Sequence, residues 1–60
     1  MNTYQVEIQY DTGFCYQVVI STSDDKYYAE MVAKAKGRVA AQQKGLSANR
    51  VIKSHVQEIK

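Results

Sequence analysis

The chain has a single cysteine, Cys15, among its 60 residues. No intramolecular disulfide can form, and no Cys/His set has metal-ligand spacing. A lone thiol fits a reducing cytoplasm. No apolar run approaches the roughly 20 residues needed to span a membrane. The opening "MNTYQVEI" enters strand alternation directly, with no basic or apolar leader region, so the expected location is cytoplasmic without a secretory signal. Proline is absent and glycine occurs three times. There is no Pro/Gly-rich linker, repeat or low-complexity tract, which leaves one small domain over 1–60. An excess of charge of one sign is also missing. Eight Lys+Arg against six Asp+Glu give +2, a balance that permits nucleic-acid contact without implying it and argues against an acidic DNA mimic. A domain of this size buries only about 60% of its unfolded surface, and without a staple a thin core favours a partner.

What is present is alternation. Tyr4, Val6, Ile8 and Tyr10 alternate with Gln5, Glu7 and Gln9, the period-2 pattern of a half-buried strand. A second run places Phe14, Tyr16, Val18 and Ile20 on one face and Cys15, Gln17, Val19 and Ser21 on the other. Opposed residues of a hairpin share a face. A two-residue Thr12-Gly13 loop would set Ile8 against Gln17 and mix the faces. A three-residue loop, Asp11-Thr12-Gly13, pairs Tyr10 with Phe14, Ile8 with Tyr16, Val6 with Val18 and Tyr4 with Ile20. It also puts Gly13 where a type I turn with a G1 bulge needs a left-handed residue.

"STSDDKYYAEMVAKAKGRVAAQQKG" reads as a helix with its punctuation. Thr22 or Ser23 is the expected cap, and Asp24 and Asp25 suit the positive end of the dipole. Tyr28, Val32, Ala35, Val39 and Gln42 form one stripe, with Met31 beside it and Ala29 and Ala33 further out; this stripe is expected to pack on the sheet. Gly45 is a natural residue to end the helix, with Leu46 folding back on Ala41. Gly37 lies opposite Tyr28 on the wheel, so packing on the sheet does not explain it. It is then neutral drift or a point where a partner approaches closely. After a turn over "SANR", "VIKSHVQEIK" reads as a third strand with Ile52, Ser54 and Val56 inward and Lys53, His55 and Gln57 outward. A bulge or frayed end is expected near Gln57-Glu58. The fold class is α+β, in the order ββαβ, with a three-stranded sheet and one long helix on one face. Strand 3 can lie beside strand 1, antiparallel, or beside strand 2, parallel. The first covers the more regular strand and is expected, giving the order 2-1-3.

The aromatic row shares the sheet's apolar face and reads as core, not as a base-stacking platform. Cys15 and His55 sit on strands separated by strand 1, about 10 Å apart. They form no nucleophile–base pair, and no catalytic, cofactor or metal residue is expected. Lys34 and Arg38 share one helix flank with Tyr27, Glu30 precedes Lys34 by four residues, and Lys26 and Lys44 are placed on the outer surface. These four basic residues are the candidate phosphate contacts of a nucleic-acid-binding reading. The strand-2 segment "CYQVVIS" carries no charge and no proline, and such an edge is a template for strand addition or dimerisation.

In length, in its "VEIQYDTGFCYQVVI" hairpin, its "SDDKYYAEMVAKAKGRVA" helix and its closing "VIKSHVQEI" strand, the chain resembles the small bacteriophage-encoded ββαβ accessory proteins that bind and inhibit host enzymes. The resemblance implies a non-enzymatic module whose partner is a larger host protein in the host cytoplasm. The candidate contacts are Glu7, Cys15, Gln17, Val19, Lys53 and His55, on the open sheet face and the strand-2 edge. The alternatives are nucleic-acid binding through Lys26, Lys34, Arg38 and Lys44, and a homodimer through the strand-2 edge.

Overall fold

Asp11-Thr12-Gly13 closes the first hairpin as the face-matching argument requires. Tyr10 donates its N–H to the Phe14 carbonyl at 2.9 Å, Gly13 donates to the Tyr10 carbonyl at 3.0 Å, and Gly13 adopts φ +87°. The structure, a computed structural model, describes residues 1–47 and 50–59. Its elements are β1 (Asn2–Tyr10), β2 (Cys15–Thr22), α1 (Lys26–Gln43) and β3 (Val51–Ile59). They form a ββαβ fold with sheet order β2-β1-β3, both pairings antiparallel. The turn expected over 47–50 includes Ala48 and Asn49, which lie outside the described residues.

The hairpin register keeps one face apolar: Ile8 opposes Tyr16, Val6 opposes Val18, and Tyr4 opposes Ile20. Val6, Ile8 and Tyr10 have no exposed surface, and Phe14, Tyr16 and Val18 pack at the margin of the same core. Burying side chains of this size is the main favourable contribution, about 1.5–3 kcal/mol for each large apolar residue fully removed from water.

Three features of the helix correct the sequence reading. Its N-cap is Asp25, whose carboxylate accepts the Tyr28 N–H at 3.1 Å. A charged acceptor at the positive end of the dipole is favoured over a hydroxyl there. Thr22 is buried instead, its Oγ1 accepting the Asp24 N–H at 3.0 Å. Second, the buried face is Ala29, Ala33, Gly37 and Ala41, not the Tyr28–Val32–Ala35–Val39–Gln42 stripe. Val32 of that stripe packs at the core's edge, while Tyr28, Met31 and Val39 are exposed. The sheet already supplies the bulk, so the helix approaches with its smallest side chains, and a large stripe would hold the layers apart. Third, Gly37 is explained by packing on the chain's own sheet. A Cβ there would lie 2.5 Å from Tyr10 Oη and 3.0 and 3.1 Å from two ring carbons. Tyr10 Oη donates to the Lys34 carbonyl at 2.6 Å, so the whole tyrosine lies against the third turn of α1. The helix ends as expected: Gly45 at φ +75° donates to the Gln42 carbonyl at 3.0 Å, and Leu46 donates to the Ala41 carbonyl at 2.9 Å, the Schellman pattern.

The β3 bulge is at the strand's start rather than near Gln57-Glu58. Gln9 opposes Lys53 but Tyr10 opposes Val51, so Ile52 is the extra residue, 58% exposed rather than inward. The slip re-aims the alternation so that Val51 joins Tyr10 on the core face. Beyond it, Ser54 and Val56 oppose Ile8 and Val6, as the sequence pattern indicates. Ile59 falls opposite Thr3 on the other face.

Two outcomes test the Tyr10–Gly37 contact. Gly37→Ala gains about 1 kcal/mol in helix propensity but forces Tyr10 aside, so a net loss of about 1–2 kcal/mol is expected in urea unfolding. In a Tyr10→Phe background the cost of Gly37→Ala falls by about 1 kcal/mol. Burial also pushes the Tyr10 phenol above its ordinary 10.0, with Arg38 opposing the shift and Tyr16 adding to it. The folded state therefore holds this proton more tightly than the unfolded chain. The contribution is complete below the unfolded value and is lost as pH rises through the raised folded one. Urea titrations at stepped alkaline pH should show a steeper stability loss above pH 10.0 in the parent than in Tyr10→Phe.

Candidate protein-interaction surfaces

Opposite α1 the sheet is uncovered, and pairing arranges its side chains in rows across β2, β1 and β3. The rows are Ser21–Thr3–Ile59, Val19–Gln5–Gln57, Gln17–Glu7–His55 and Cys15–Gln9–Lys53. The structure thus brings Glu7, Cys15, Gln17, Val19, Lys53 and His55 onto one face, all exposed. Gln17 Nε2 donates to Glu7 Oε2 at 2.9 Å, and the Thr3 and Ser21 hydroxyls share a bond of 3.1 Å. Cys15 and His55 lie on the two outer strands in different rows, with β1 between them. They are too far apart for proton transfer from thiol to imidazole. Among the described residues, no group of three or more His, Cys, Asp or Glu is placed to hold a metal ion.

The basic residues do not converge. Lys34 Nζ is 3.6 Å from Glu30 Oε1, and Glu30 Oε2 accepts the Ser54 hydroxyl at 2.6 Å, tying the flank of α1 to β3. Lys26 Nζ stands 5.5 Å from the Tyr27 ring, and Lys44 Nζ stands 5.8 Å from the Phe14 ring. Because the helix is turned from the orientation its apolar stripe suggested, Lys26 and Lys44 flank the two ends of its sheet-facing side rather than its outer surface. With Arg38 they are spread along a helix about 27 Å long, without the clustering a phosphate track requires.

The surface that sequence reasoning missed is the outward face of α1. Tyr27 is 68% exposed, Met31 60%, Val39 53% and Tyr28 41%. Of these, the helical wheel assigns Tyr28 and Val39, with Met31 beside them, to the core-facing stripe and Tyr27 to a flank. The contrary indication was present in Ala29, Ala33, Gly37 and Ala41, a line of small residues at four-residue spacing. On the β2 side of the helix a groove of about 390 Å³ is lined by Tyr16, Ala35, Lys36, Val39, Ala40 and Gln43. On the β3 side a hollow of about 190 Å³ lies among Lys26, Tyr27, Glu30 and Val56. Among the described residues no helix is long and apolar enough to cross a membrane.

Compared with models of protein families, with curated proteins and with solved structures, the chain matches none.

The placement of the two helix faces is measurable as stability. Met31→Gln should shift stability by no more than about 0.5 kcal/mol, as for an exposed position. Ala33→Met should cost about 1–3 kcal/mol through overpacking against the sheet. Urea midpoints of the two variants check both values, and the reverse ranking would turn the helix back to the orientation of the wheel.

Proposed function

We propose that the chain is a non-enzymatic protein-binding module that docks the outward face of α1 on a larger protein. The observation that carries this reading is the exposure of Tyr27, Tyr28, Met31 and Val39 on a helix whose buried residues are three alanines and a glycine. The exposed parts of these four side chains gain nothing for the monomer, whereas burial under a partner recovers the hydrophobic term for that area. Tyrosine, methionine and arginine are the residues enriched at such interfaces, and Arg38 is exposed on the same side of the helix.

The open sheet face is the weaker surface. Its centre is polar, and Gln17 and Glu7 already satisfy each other. The separation of Lys26, Lys34, Arg38 and Lys44 leaves nucleic acid the less favoured partner. The resemblance to phage accessory proteins that act on host enzymes supports a host protein as the partner class and modulation of that protein as the outcome.

Affinity capture from a bacterial lysate, with the captured protein identified by mass spectrometry, tests the reading. Met31→Glu should weaken retention of that protein at least tenfold, about 1.4 kcal/mol. Gln57→Glu on the open face should leave it within about twofold, as for a residue outside the contact. Equal retention by both variants removes the helix as the docking surface.

A further inference from the structure

The two edges of the sheet are protected unequally. β3 starts with the Ile52 bulge and carries Lys53 and Glu58, devices that discourage pairing with another strand. β2 has none of them. "CYQVVIST" is free of charge, proline and glycine, and it pairs with β1 without a register shift from Asn2–Thr22 to Gln9–Cys15. In an antiparallel ladder, residues alternate between bonding the neighbouring strand and pointing away from it. The bond from Tyr10 to the Phe14 carbonyl assigns the even-numbered residues of β2 to β1. The N–H and C=O groups of Cys15, Gln17, Val19 and Ser21 are therefore directed along the free edge.

We propose that β2 pairs antiparallel with β2 of a second copy across a two-fold axis, making a closed dimer with one continuous six-stranded sheet. An axis through Val18, perpendicular to the sheet, sets Gln17 against Val19, Cys15 against Ser21 and Tyr16 against Ile20 of the second copy. Every outward group of both edges is then satisfied, in about eight backbone hydrogen bonds. An axis through Gln17 or Val19 leaves one outward residue of each copy unpaired. The Val18 register also keeps Tyr16, Val18 and Ile20 on the helix side in both copies, apolar against apolar.

The groove beside β2 supports a second copy as the occupant. α1 packs on β1 and β2, so its flank of Ala35, Lys36, Val39 and Ala40 stands near the free edge with Tyr16 beneath it. The two-fold operation brings the same flank of the second copy to face it, and each helix closes the other's groove. A foreign strand would bring no helix to that position. Between the strands no charge opposes the contact, since neither β2 carries a charged side chain. On the helix flanks each copy brings one lysine, Lys36, which is exposed and has a long stem that lets its ammonium turn to water. In contrast, a head-to-tail contact of β2 with β3 meets the bulge and Lys53 and gives no closed ring. The seven paired residues and the groove's helix residues amount to about a dozen per copy, about 400 Å² at the usual area per interface residue. That is the scale of a weak, concentration-dependent dimer.

Sedimentation of the full chain from about 10 μM to about 1 mM, the range suited to an interface of this size, should show the mass rising from 6.8 kDa towards twice that value. Hydrogen exchange over the same range should show the Cys15, Gln17, Val19 and Ser21 amides slowing with concentration. Val19→Pro removes an outward N–H and leaves the β1 ladder its bonds; it should weaken association at least tenfold. Gln57→Glu, on β3 and away from the β2 edge, should leave dimerisation unchanged. A parent chain that stays monomeric at the highest concentration overturns the proposal. So does an association whose four edge amides exchange as fast as in the dilute monomer, a readout that needs no variant to fold. Association that survives Val19→Pro but is lost in Met31→Glu assigns self-contact to the helix face, and likewise overturns it.

Discussion

Tyr10 lying against Gly37 is the contact on which the arrangement of this small domain depends. A tyrosine at the end of β1 projects across the helix layer far enough for its hydroxyl to bond the Lys34 carbonyl. Only a residue without a side chain fits at the point of closest approach. Once Gly37 faces the sheet, four-residue spacing brings Ala29, Ala33 and Ala41 to the same side. The rotation of α1 is then set by volume rather than by hydrophobicity. Everything on the helix's other side follows, including the exposure of Tyr27, Tyr28, Met31 and Val39.

The contact is itself prepared by local chemistry. The three-residue turn places Tyr10 on the core face by fixing the hairpin register. At the far side of β1, the Ile52 bulge shifts β3 by one residue so that Val51, rather than Ile52, joins Tyr10. The central strand is thus supported on both flanks at the residue that positions the helix. Ser54 and Glu30, with Lys34 beyond, tie β3 to α1 at the helix's other flank. A core this thin has few residues to spare, and its geometry rests on a small number of specific contacts.

Much of this was legible in the residues. The hairpin could be read because its two signals agree: face-matching across the turn and a glycine at a left-handed position. The strand order followed from covering the regular strand. The helix boundaries at Gly45 and in the Ser21–Asp25 segment were visible, although the choice of Asp25 over Thr22 depended on which residue the sheet buries. The helix's rotation was not legible from apolar periodicity, because a helical wheel weights residues by hydrophobicity and ignores the bulk already present on the facing sheet. Tyr10, Tyr4 and Ile8 demanded small partners, and the alanine–glycine line supplied them. The candidate contacts on the open face were correctly placed together, since strand alternation fixes faces directly. The apolar outward stripe was hidden by the same assumption that misassigned Gly37.

A two-layer domain of this kind divides its surface by cause. The sheet face away from α1 is polar because alternation places Gln, Glu, His and Lys there, and its neighbouring side chains bond to one another. The outward helix stripe is apolar because the core had no room for it. The β2 edge is unprotected, although the same chain bulges and charges β3. Protection of one edge only is the pattern expected when the other is used, because a bare edge without a regular occupant exposes the chain to indiscriminate strand addition. If the β2 edges meet, both helices lie on the same face of the joined sheet. Val39 and the β2-side flank turn towards the axis, while Tyr27 and Met31 remain turned outward. Val39 is then shared between self-association and the apolar helix face, while Tyr27, Tyr28 and Met31 in the N-terminal half of α1 stay open to a partner, and the dimer presents that half-helix twice. A partner with two copies of its own site would gain from that geometry through effective concentration rather than through any new contact.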